Sequence, residues 1–572
     1  MNPPRLTLLG LVGACMVASS CGGRPSYWGN SVNTSNVTYG MAGGVAVIDD
    51  VDHRVVFLTG TANQGLATQS VPIGHSFASA ATSVDGKTLF VLSSGDWPIQ
   101  KSSDQLPRLT VISLDPSTFK VGAPQVYTMS EPLPNLAIDP LGACATGPCA
   151  PSYAVAYQGS GQSTSFAQNP NEIVIFNLTA GPPPEPAAGS TTQPPYAVAR
   201  SIRSFGGTPQ QLTFSPTLML PANAEMAGVT ASARRLLIIE TNLDVSIVDL
   251  NHAFDPPVPP ATANGRPEIT VQLTSGTGTA SVTPTGLVVD PNEDDGRIAF
   301  FTTTDTNVYT LQLLPSPAGS PNDFNPQINL TDVGGTPTDI QFVRTDQGLR
   351  VAALVPAASN AVLVEPDTSV TTPVALAAAY SSMSLVTNIV SGASSPTDVA
   401  LLWSAGNGAP ASGVALWALG TTVGQPYRSI EVLQIGASIQ AVLDVPAPND
   451  NLKVLATTQG SGDFYVLDLL QRTANPIHTT SSPLLTIAPD GMRMWAYDQN
   501  TDLASIDFTT LNPTPLTTDA PISAVYDVAS LAAHGRSLIA INAQGTLGAT
   551  VFDAVDPEAS AHEDVALLLE GP

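Results

Sequence analysis

Short apolar segments alternate with polar turns along most of the chain. Clear copies are Ser83-Val-Asp-Gly-Lys-Thr-Leu-Phe-Val-Leu92 and Ala488-Pro-Asp-Gly-Met-Arg-Met-Trp-Ala-Tyr497, in which a turn separates two apolar stretches. The apolar segments are about five or six residues long, as strands usually are, and they favour Val, Ile, Leu, Tyr and Phe. Pro, Gly, Asp and Asn lie between them, as in turns. The pattern predicts many short β-strands joined by tight turns.

The predicted strands fall into groups of four that recur at roughly 40–60 residues. One group comprises residues 77–84, 88–93, 109–114 and 125–129. Four-stranded sheets repeated in this way are typical of a β-propeller, in which each sheet, or blade, packs against the next around a central channel. The fold class is therefore predicted to be all-β; residues 374–385 and 559–569 are the exceptions with helical character.

The groups predict a single closed propeller of about eight blades, with a range of seven to nine. The first group, near residues 45–58, supplies only two recognisable strands, and the last, near 525–552, supplies three. Because an open ring would leave unpaired backbone groups at its edge, the N-terminal strand is expected to complete the last blade. Two smaller propellers are the alternative architecture.

Several short motifs carry a family resemblance. Val45-Ala-Val-Ile-Asp49 and Val245-Ser-Ile-Val-Asp-Leu250 look like the third strand of a blade, and Gly207-Thr-Pro209 and Gly335-Thr-Pro337 look like blade-entry signals. On these motifs the chain resembles bacterial propellers of the YVTN and YncE type, which are WD40-like, although the Gly-His and Trp-Asp pairs of WD40 repeats are missing. The resemblance covers most of residues 43–556 and implies a fold, not a function.

Charge excludes one class of partner. The formal net charge is −26, and the chain contains only four lysines, Lys87, Lys101, Lys120 and Lys453. Such a surface repels phosphate backbones, so no nucleic acid is expected as a partner.

The N-terminus has the features of an export signal. Arg5 precedes the apolar residues 6–18, which are too few to span a bilayer, and Ala18-Ser19-Ser20-Cys21 follows. Small residues before a cysteine resemble the bacterial lipobox. The alternative is an ordinary secretory signal with an incidental cysteine. The expected organisation is a signal peptide over residues 1–20, a polar tether over 21–40, the propeller over 41–556 and a C-terminal tail over 557–572.

The lipoprotein resemblance implies that Cys21 becomes the mature N-terminus and carries acyl chains, palmitate among them, that hold the protein to a membrane. Gly22 follows Cys21 where an aspartate would favour the inner membrane. By resemblance to Gram-negative lipoproteins, the expected location is the outer membrane, facing the periplasm or the cell surface.

Two further cysteines lie close together in Gly-Ala-Cys144-Ala-Thr-Gly-Pro-Cys149. Exported compartments are oxidising, and Gly147-Pro148 would help the chain turn back. Cys144 and Cys149 are therefore predicted to form a local disulfide; free or redox-active thiols are the alternative.

The sequence offers one candidate metal site. Asp290-Pro-Asn-Glu-Asp-Asp-Gly296 places oxygen ligands at Asp290, Asn292 and Asp294, as calcium loops do, although its spacing departs from an EF-hand. The other interpretation is a turn between strands. Calcium is the only cofactor that the sequence suggests.

No catalytic spacing stands out, and this favours a binding or scaffold protein of the cell envelope that presents a loop-lined face to a protein or glycan partner. Propellers also host enzymes at the channel mouth. A lactonase-like hydrolase or a cofactor-dependent oxidoreductase is therefore the alternative, which three or more His, Asp and Glu side chains at that mouth would favour.

Overall fold

A computed structural model describes residues 37–565. Gaps in the description fall at 63–64, 141–150, 160–168, 182–196, 203, 205–206, 221–231, 252, 255–267, 273–282, 291–295, 316–323, 346, 390–396, 405–412, 420–429, 436, 458–462, 480–482, 533, 544–547 and 558–562. The described elements are β-strands except for one 3-10 turn, Pro356–Ala358. Helical layers are thus absent from these residues.

The strands form ten consecutive antiparallel blades. Blade 1 contains β1 (Thr38–Met41), β2 (Gly44–Asp49), β3 (Arg54–Gly60) and β4 (Leu66–Pro72). Blade 2 contains β5 (Phe77–Thr82), β6 (Thr88–Ser93), β7 (Arg108–Asp115), β8 (Lys120–Val121) and β9 (Gln125–Thr128), and both β8 and β9 pair with β7. Blade 3 contains β10 (Asn135–Ile138), β11 (Tyr153–Tyr157), β12 (Glu172–Asn177) and β13 (Ala197–Ser201).

Blade 4 contains β14 (Pro209–Phe214), β17 (Leu236–Thr241), β18 (Asp244–Asp249) and β19 (Glu268–Gln272); a separate hairpin of β15 (Leu218–Leu220) and β16 (Ser232–Arg234) is inserted after β14. Blade 5 contains β20 (Pro284–Val289), β21 (Arg297–Thr302), β22 (Asn307–Pro315) and β23 (Phe324–Asp332). Blade 6 contains β24 (Asp339–Thr345), β25 (Gly348–Val355), β26 (Asn360–Val364) and β27 (Thr371–Ala375).

Blade 7 contains β28 (Ser382–Ile389), β29 (Thr397–Trp403), β30 (Val414–Ala418) and β31 (Ile430–Leu433). Blade 8 contains β32 (Ile439–Asp444), β33 (Leu452–Thr457), β34 (Asp463–Asp468) and β35 (Thr473–His478). Blade 9 contains β36 (Leu484–Ile487), β37 (Arg493–Tyr497), β38 (Asp502–Asp507) and β39 (Pro513–Thr517). Blade 10 contains β40 (Ile522–Ala529), β41 (Arg536–Asn542), β42 (Ala549–Asp553) and β43 (Glu563–Val565).

The core of the molecule is a ring of ten apolar clusters, one between each pair of neighbouring blades. The two middle strands of each blade supply most of the buried side chains, because both faces of these strands are covered by neighbouring blades. The first strands of successive blades contact one another, as β5 and β10 do, and this places them innermost.

The prediction of about eight blades was wrong, and so was the prediction that the N-terminal strand completes the last blade. Strand β1 pairs with β2 in a blade of its own, and β43 is the fourth strand of blade 10. The ring closes by contact between the two blades instead: Val45 and Leu58 of blade 1 share an apolar cluster with Val528 and Ile541 of blade 10. Ala529 N–H of blade 10 also donates to the Ala42 carbonyl of blade 1 at 3.1 Å. Because the ten blades form one ring, the alternative of two smaller propellers was wrong as well.

The blade count was too low because outer strands carry a weak apolar pattern. Strand β4, with the sequence Leu-Ala-Thr-Gln-Ser-Val-Pro, has only Val71 buried, since its outer edge faces solvent. The helical character expected over residues 374–385 was also wrong, because this segment contains the end of β27 and the start of β28. Three of its alanines, residues 377–379, lie in the link between the two strands.

The antiparallel order gives the ring two distinct faces. One, here called the hairpin face, carries the turns from the first to the second strand and from the third to the fourth. The other, the linker face, carries the turns from the second to the third strand and the links between blades. Neighbouring blades are bonded at both faces: Ala42 N–H donates to the Gly86 carbonyl on the hairpin face (2.8 Å), and Phe77 N–H donates to the Asp50 carboxylate on the linker face (2.9 Å).

Candidate functional site

Polar side chains interrupt the apolar interface between blades 5 and 6. Towards the linker face this interface is apolar, with Phe301 and Val308 in its cluster. Towards the hairpin face it becomes polar, because Arg297, Gln312 and Gln327 stand at paired positions on three adjacent strands. Alternation along strands places these three side chains on one side of the blade, the side turned towards blade 6.

A second pair of polar side chains on this surface forms hydrogen bonds within the protein. Thr310 and Asn329 are also paired across β22 and β23, and their side chains both donate to the carbonyl oxygen of Pro366 in blade 6, at 3.2 and 2.9 Å. The Arg297 guanidinium lies 3.0 Å from the carboxylate of Asp367. These contacts hold the third-to-fourth strand turn of blade 6 over the outer strands of blade 5.

The two sets of polar side chains and the turn enclose a cavity of about 260 Å³, here called the blade 5–6 recess. Its lining comprises Arg297, Thr310, Leu311, Gln312, Gln327, Asn329, Pro366 and Asp367. Asp367 is exposed, whereas the Arg297 side chain retains only 14% of its exposure. Binding sites typically combine a concave surface with a few convergent polar groups, and this recess does so.

A second polar cluster lies on the linker face between blades 1 and 2. The rings of His53 and His75 are in contact, with centroids 4.2 Å apart. His75 Nδ1 lies 2.8 Å from Asp96 Oδ1, and its Nε2 lies 3.1 Å from the side-chain nitrogen of Gln105. Asp50 lies 4.0 Å from His53 Nδ1 and also accepts from the backbone of blade 2. The cluster therefore joins two blades.

The His75 network leaves no base directed at a nucleophile. Gln105 Oε1 accepts from Arg108, so the Gln105 amide nitrogen donates to His75 Nε2, and His75 Nδ1–H donates to Asp96. Hydrogen bonds from the Gln105 backbone and from His75 hold the pKa of Asp96 below its usual range. Both nitrogens of this imidazole are therefore occupied.

Buried carboxyl groups also form hydrogen bonds between neighbouring blades. The Asp339 carboxylate accepts from Met383 N–H of blade 7 at 2.7 Å, and burial raises the pKa of Asp339 to about 6. Glu240 of blade 4 is buried, and its carboxyl accepts from Leu287 N–H of blade 5. Burial raises the pKa of Glu240 to about 7. These acids bond backbone groups between blades, and this is a structural role.

A more apolar cleft of about 320 Å³ lies between blades 8 and 9. Ala504, Pro513 and Pro515 line it, and His478 stands at its edge, 2.5 Å from Asp463. Tyr497, Asp498 and Asp502 also belong to its lining.

The residues singled out from the sequence are only partly described. Asp290 is buried at the end of β20, where Arg344 lies 3.8 Å from its carboxylate. Asn292 and Asp294, the other calcium candidates, lie outside the described residues, as do Cys21, Cys144 and Cys149. Within the part that is described, no three His, Cys, Asp or Glu side chains gather as metal ligands.

The blade 5–6 recess was missed from the sequence. Its pattern is visible, because Thr310 and Gln312 in one strand and Gln327 and Asn329 in the next alternate with apolar residues. Alternating polar residues usually mark a solvent-facing side, and only the ring geometry shows that this side meets another blade.

Comparisons with known proteins place the chain in no family. No family model matches it, and no curated protein matches it either. Among solved structures it is similar to the dihydro-heme d1 dehydrogenase NirN in complex with DHE, with 11% sequence identity over 96% of this chain and 77% of that chain and a TM-score of 0.34. A similarity this low carries no functional argument, and the propeller assignment depends on the strand pairing described above.

A search of the described helices finds none with the length and apolar character of a membrane span.

Proposed function

We propose that this protein is a binding propeller of the bacterial cell envelope, held to the outer membrane by a lipid on Cys21, and that the blade 5–6 recess is its ligand site. The observation that carries the binding role is the convergence of Arg297, Gln312, Gln327 and Asp367 on one recess at a blade interface. Gln312 is half-buried and Gln327 is exposed, so a ligand can reach both amides, and a concave surface with a few convergent polar groups is typical of a binding site.

The lipid anchor is proposed from the lipobox resemblance around Cys21. Two or more acyl chains give stable attachment where one chain gives reversible attachment. The enzyme alternative has less support, because the partner of His75 Nε2 is the amide of Gln105 and not a nucleophilic hydroxyl or thiol.

The test uses the full chain, expressed with its signal and extracted from envelopes in mild detergent. The wild-type protein is expected to retain a defined protein or glycan. The double variant Gln312→Ala/Gln327→Ala is expected to lose it, while Gln471→Ala, in the exposed outer turn of blade 8, keeps it. Equal retention by all three proteins would overturn the recess as the ligand site. Turnover of a lactone or a redox substrate that His75→Ala abolishes would establish the enzyme alternative instead.

A further inference from the structure

The blade 5–6 recess offers hydrogen-bond donors and acceptors side by side. The guanidinium of Arg297 donates only, the carboxylate of Asp367 accepts only, and the amides of Gln312 and Gln327 each do both. Arg297 and Asp367 are already bonded at 3.0 Å, so the entrance presents a neutral pair and not a net charge.

This arrangement discriminates between classes of ligand. An apolar ligand would remove water from these groups without replacing its hydrogen bonds, and that is unfavourable. An anionic ligand would compete with Asp367 for Arg297 and approach a protein of net charge −26. A cation would meet Arg297. A neutral molecule with adjacent hydroxyl groups satisfies all four side chains, because each hydroxyl both donates and accepts.

Size narrows the class further. The recess holds about 260 Å³, which is below the roughly 300–1,000 Å³ of pockets that enclose drug-sized ligands. It therefore accommodates one ring and not an extended chain. Pro366, whose carbonyl is fixed by Thr310 and Asn329, supplies an apolar surface for the carbon–hydrogen face of such a ring.

On the basis of the proposed binding function, we infer that the blade 5–6 recess binds a single neutral sugar unit, the end or a branch of an envelope glycan, through adjacent hydroxyl groups. Arg297 and Asp367 would each bond one of two neighbouring hydroxyls, and Gln312 and Gln327 would bond the opposite side of the ring.

The full-length protein in detergent is titrated by calorimetry and by saturation-transfer NMR. The probes are neutral hexoses, their methyl glycosides and the corresponding uronic acids. Neutral sugars are expected to bind, and uronic acids more weakly. Gln312→Ala and Gln327→Ala are each expected to raise the dissociation constant about tenfold, as the loss of one or two hydrogen bonds does. Gln471→Ala is the control, and thermal unfolding verifies that each variant is folded.

The outcomes separate this inference from the proposed function. Tighter binding of uronic acids, strengthened by Asp367→Asn, would overturn the neutral sugar in favour of an acidic one. If no sugar binds but an envelope protein is still retained through Gln312 and Gln327, the sugar inference fails and the binding function stands. If the recess variants change neither measurement, both fail.

Discussion

The hydroxyl of Tyr526 in blade 10 donates to the carbonyl oxygen of Thr38 in blade 1 at 3.0 Å, and the Thr38 hydroxyl lies 2.7 Å from the same oxygen of Tyr526. The two residues are 488 positions apart. The tyrosine ring also lies over Gly40, where a Cβ atom would come within 2.7 Å of it. Tyr526 therefore forms a specific contact between blade 10 and blade 1, where the ring closes.

Removing the Tyr526 hydroxyl should loosen this closure. Tyr526→Phe keeps the ring over Gly40 but leaves the Thr38 carbonyl without its donor, at a cost of about 1 kcal/mol. We expect a lower melting temperature and faster hydrogen exchange at β1. The matched control is Tyr465→Phe in blade 8, at a half-buried tyrosine. Unchanged exchange at β1 would show that the apolar cluster and the backbone hydrogen bonds between blades 1 and 10 close the ring without this hydroxyl.

The buried acid Glu240 should make stability depend on pH. Burial raises its pKa from 4.5 to about 7, so the folded protein binds a proton that the unfolded chain releases at lower pH. This contribution to stability is complete below about pH 4.5 and is lost as the pH rises through about 7. Glu240→Gln, which mimics the protonated acid, should stabilise the protein by up to about 3 kcal/mol at pH 8 and have little effect at pH 4.5.

Thermal unfolding of the wild type and of Glu240→Gln at both pH values checks this. Glu131→Gln, at a half-exposed glutamate in the link between blades 2 and 3, is the control and should behave as the wild type. A difference that is equal at pH 4.5 and 8 would mean that packing and not ionisation explains the effect.

Gly286 permits the bulge that brings Leu287 N–H to Glu240. Its φ is +57°, and a Cβ atom there would lie 2.1 Å from Cε1 of Phe301. Gly286→Ala should therefore destabilise the protein by about 2–4 kcal/mol, through backbone strain and overpacking. Adding Phe301→Leu should recover part of the loss because it removes the clash but not the strain. Denaturant unfolding of both variants measures this, and full recovery would exclude backbone strain.

The proposed anchor predicts a specific modification. In a Gram-negative host supplied with an alkynyl fatty acid, the wild-type protein should be labelled and sediment with membranes. Cys21→Ser should lose the label. Cys15→Ser, which changes a cysteine within the apolar part of the predicted signal, should keep it. Equal labelling of the wild type and Cys21→Ser would reject the lipid site, and an unlabelled, cleaved wild type would identify an ordinary secretory signal.

The predicted disulfide is tested by mass. After export, the oxidised protein should be lighter by two hydrogen atoms than the reduced protein, and Cys144→Ser and Cys149→Ser should each abolish the difference. A thiol-reactive reagent that labels both cysteines of the exported protein without prior reduction would contradict the pairing.

The sequence predicted the architecture well where strands are buried on both sides. Strand β3, Arg-Val-Val-Phe-Leu-Thr-Gly, is buried throughout and is readily recognised. Outer strands such as β4 and β43 were not recognised because one edge faces solvent and their composition resembles that of loops. Each missed strand left a group incomplete, and the incomplete first group was merged with the last. The blade count therefore failed at the two ends of the chain, where the innermost strand β1 and the outer strands β4 and β43 were all missed.

The candidate site depends on register, which a single sequence specifies poorly. Arg297, Gln312 and Gln327 are separated by loops along the chain and meet because β21, β22 and β23 pair at those positions. A shift of one residue in either pairing would turn one of them to the opposite side of the blade. The contact with Pro366 further requires knowledge of which blade lies beside blade 5.

The first strand of the ring and the blade 5–6 recess lie at opposite faces. Strand β1 begins at Thr38 on the linker face, whereas Arg297 and Asp367 lie beside turns of the hairpin face. An acylated Cys21 would therefore join the ring from the linker side, and the recess lies beside the other face. Attachment to a membrane and binding of a ligand would then not compete for the same surface.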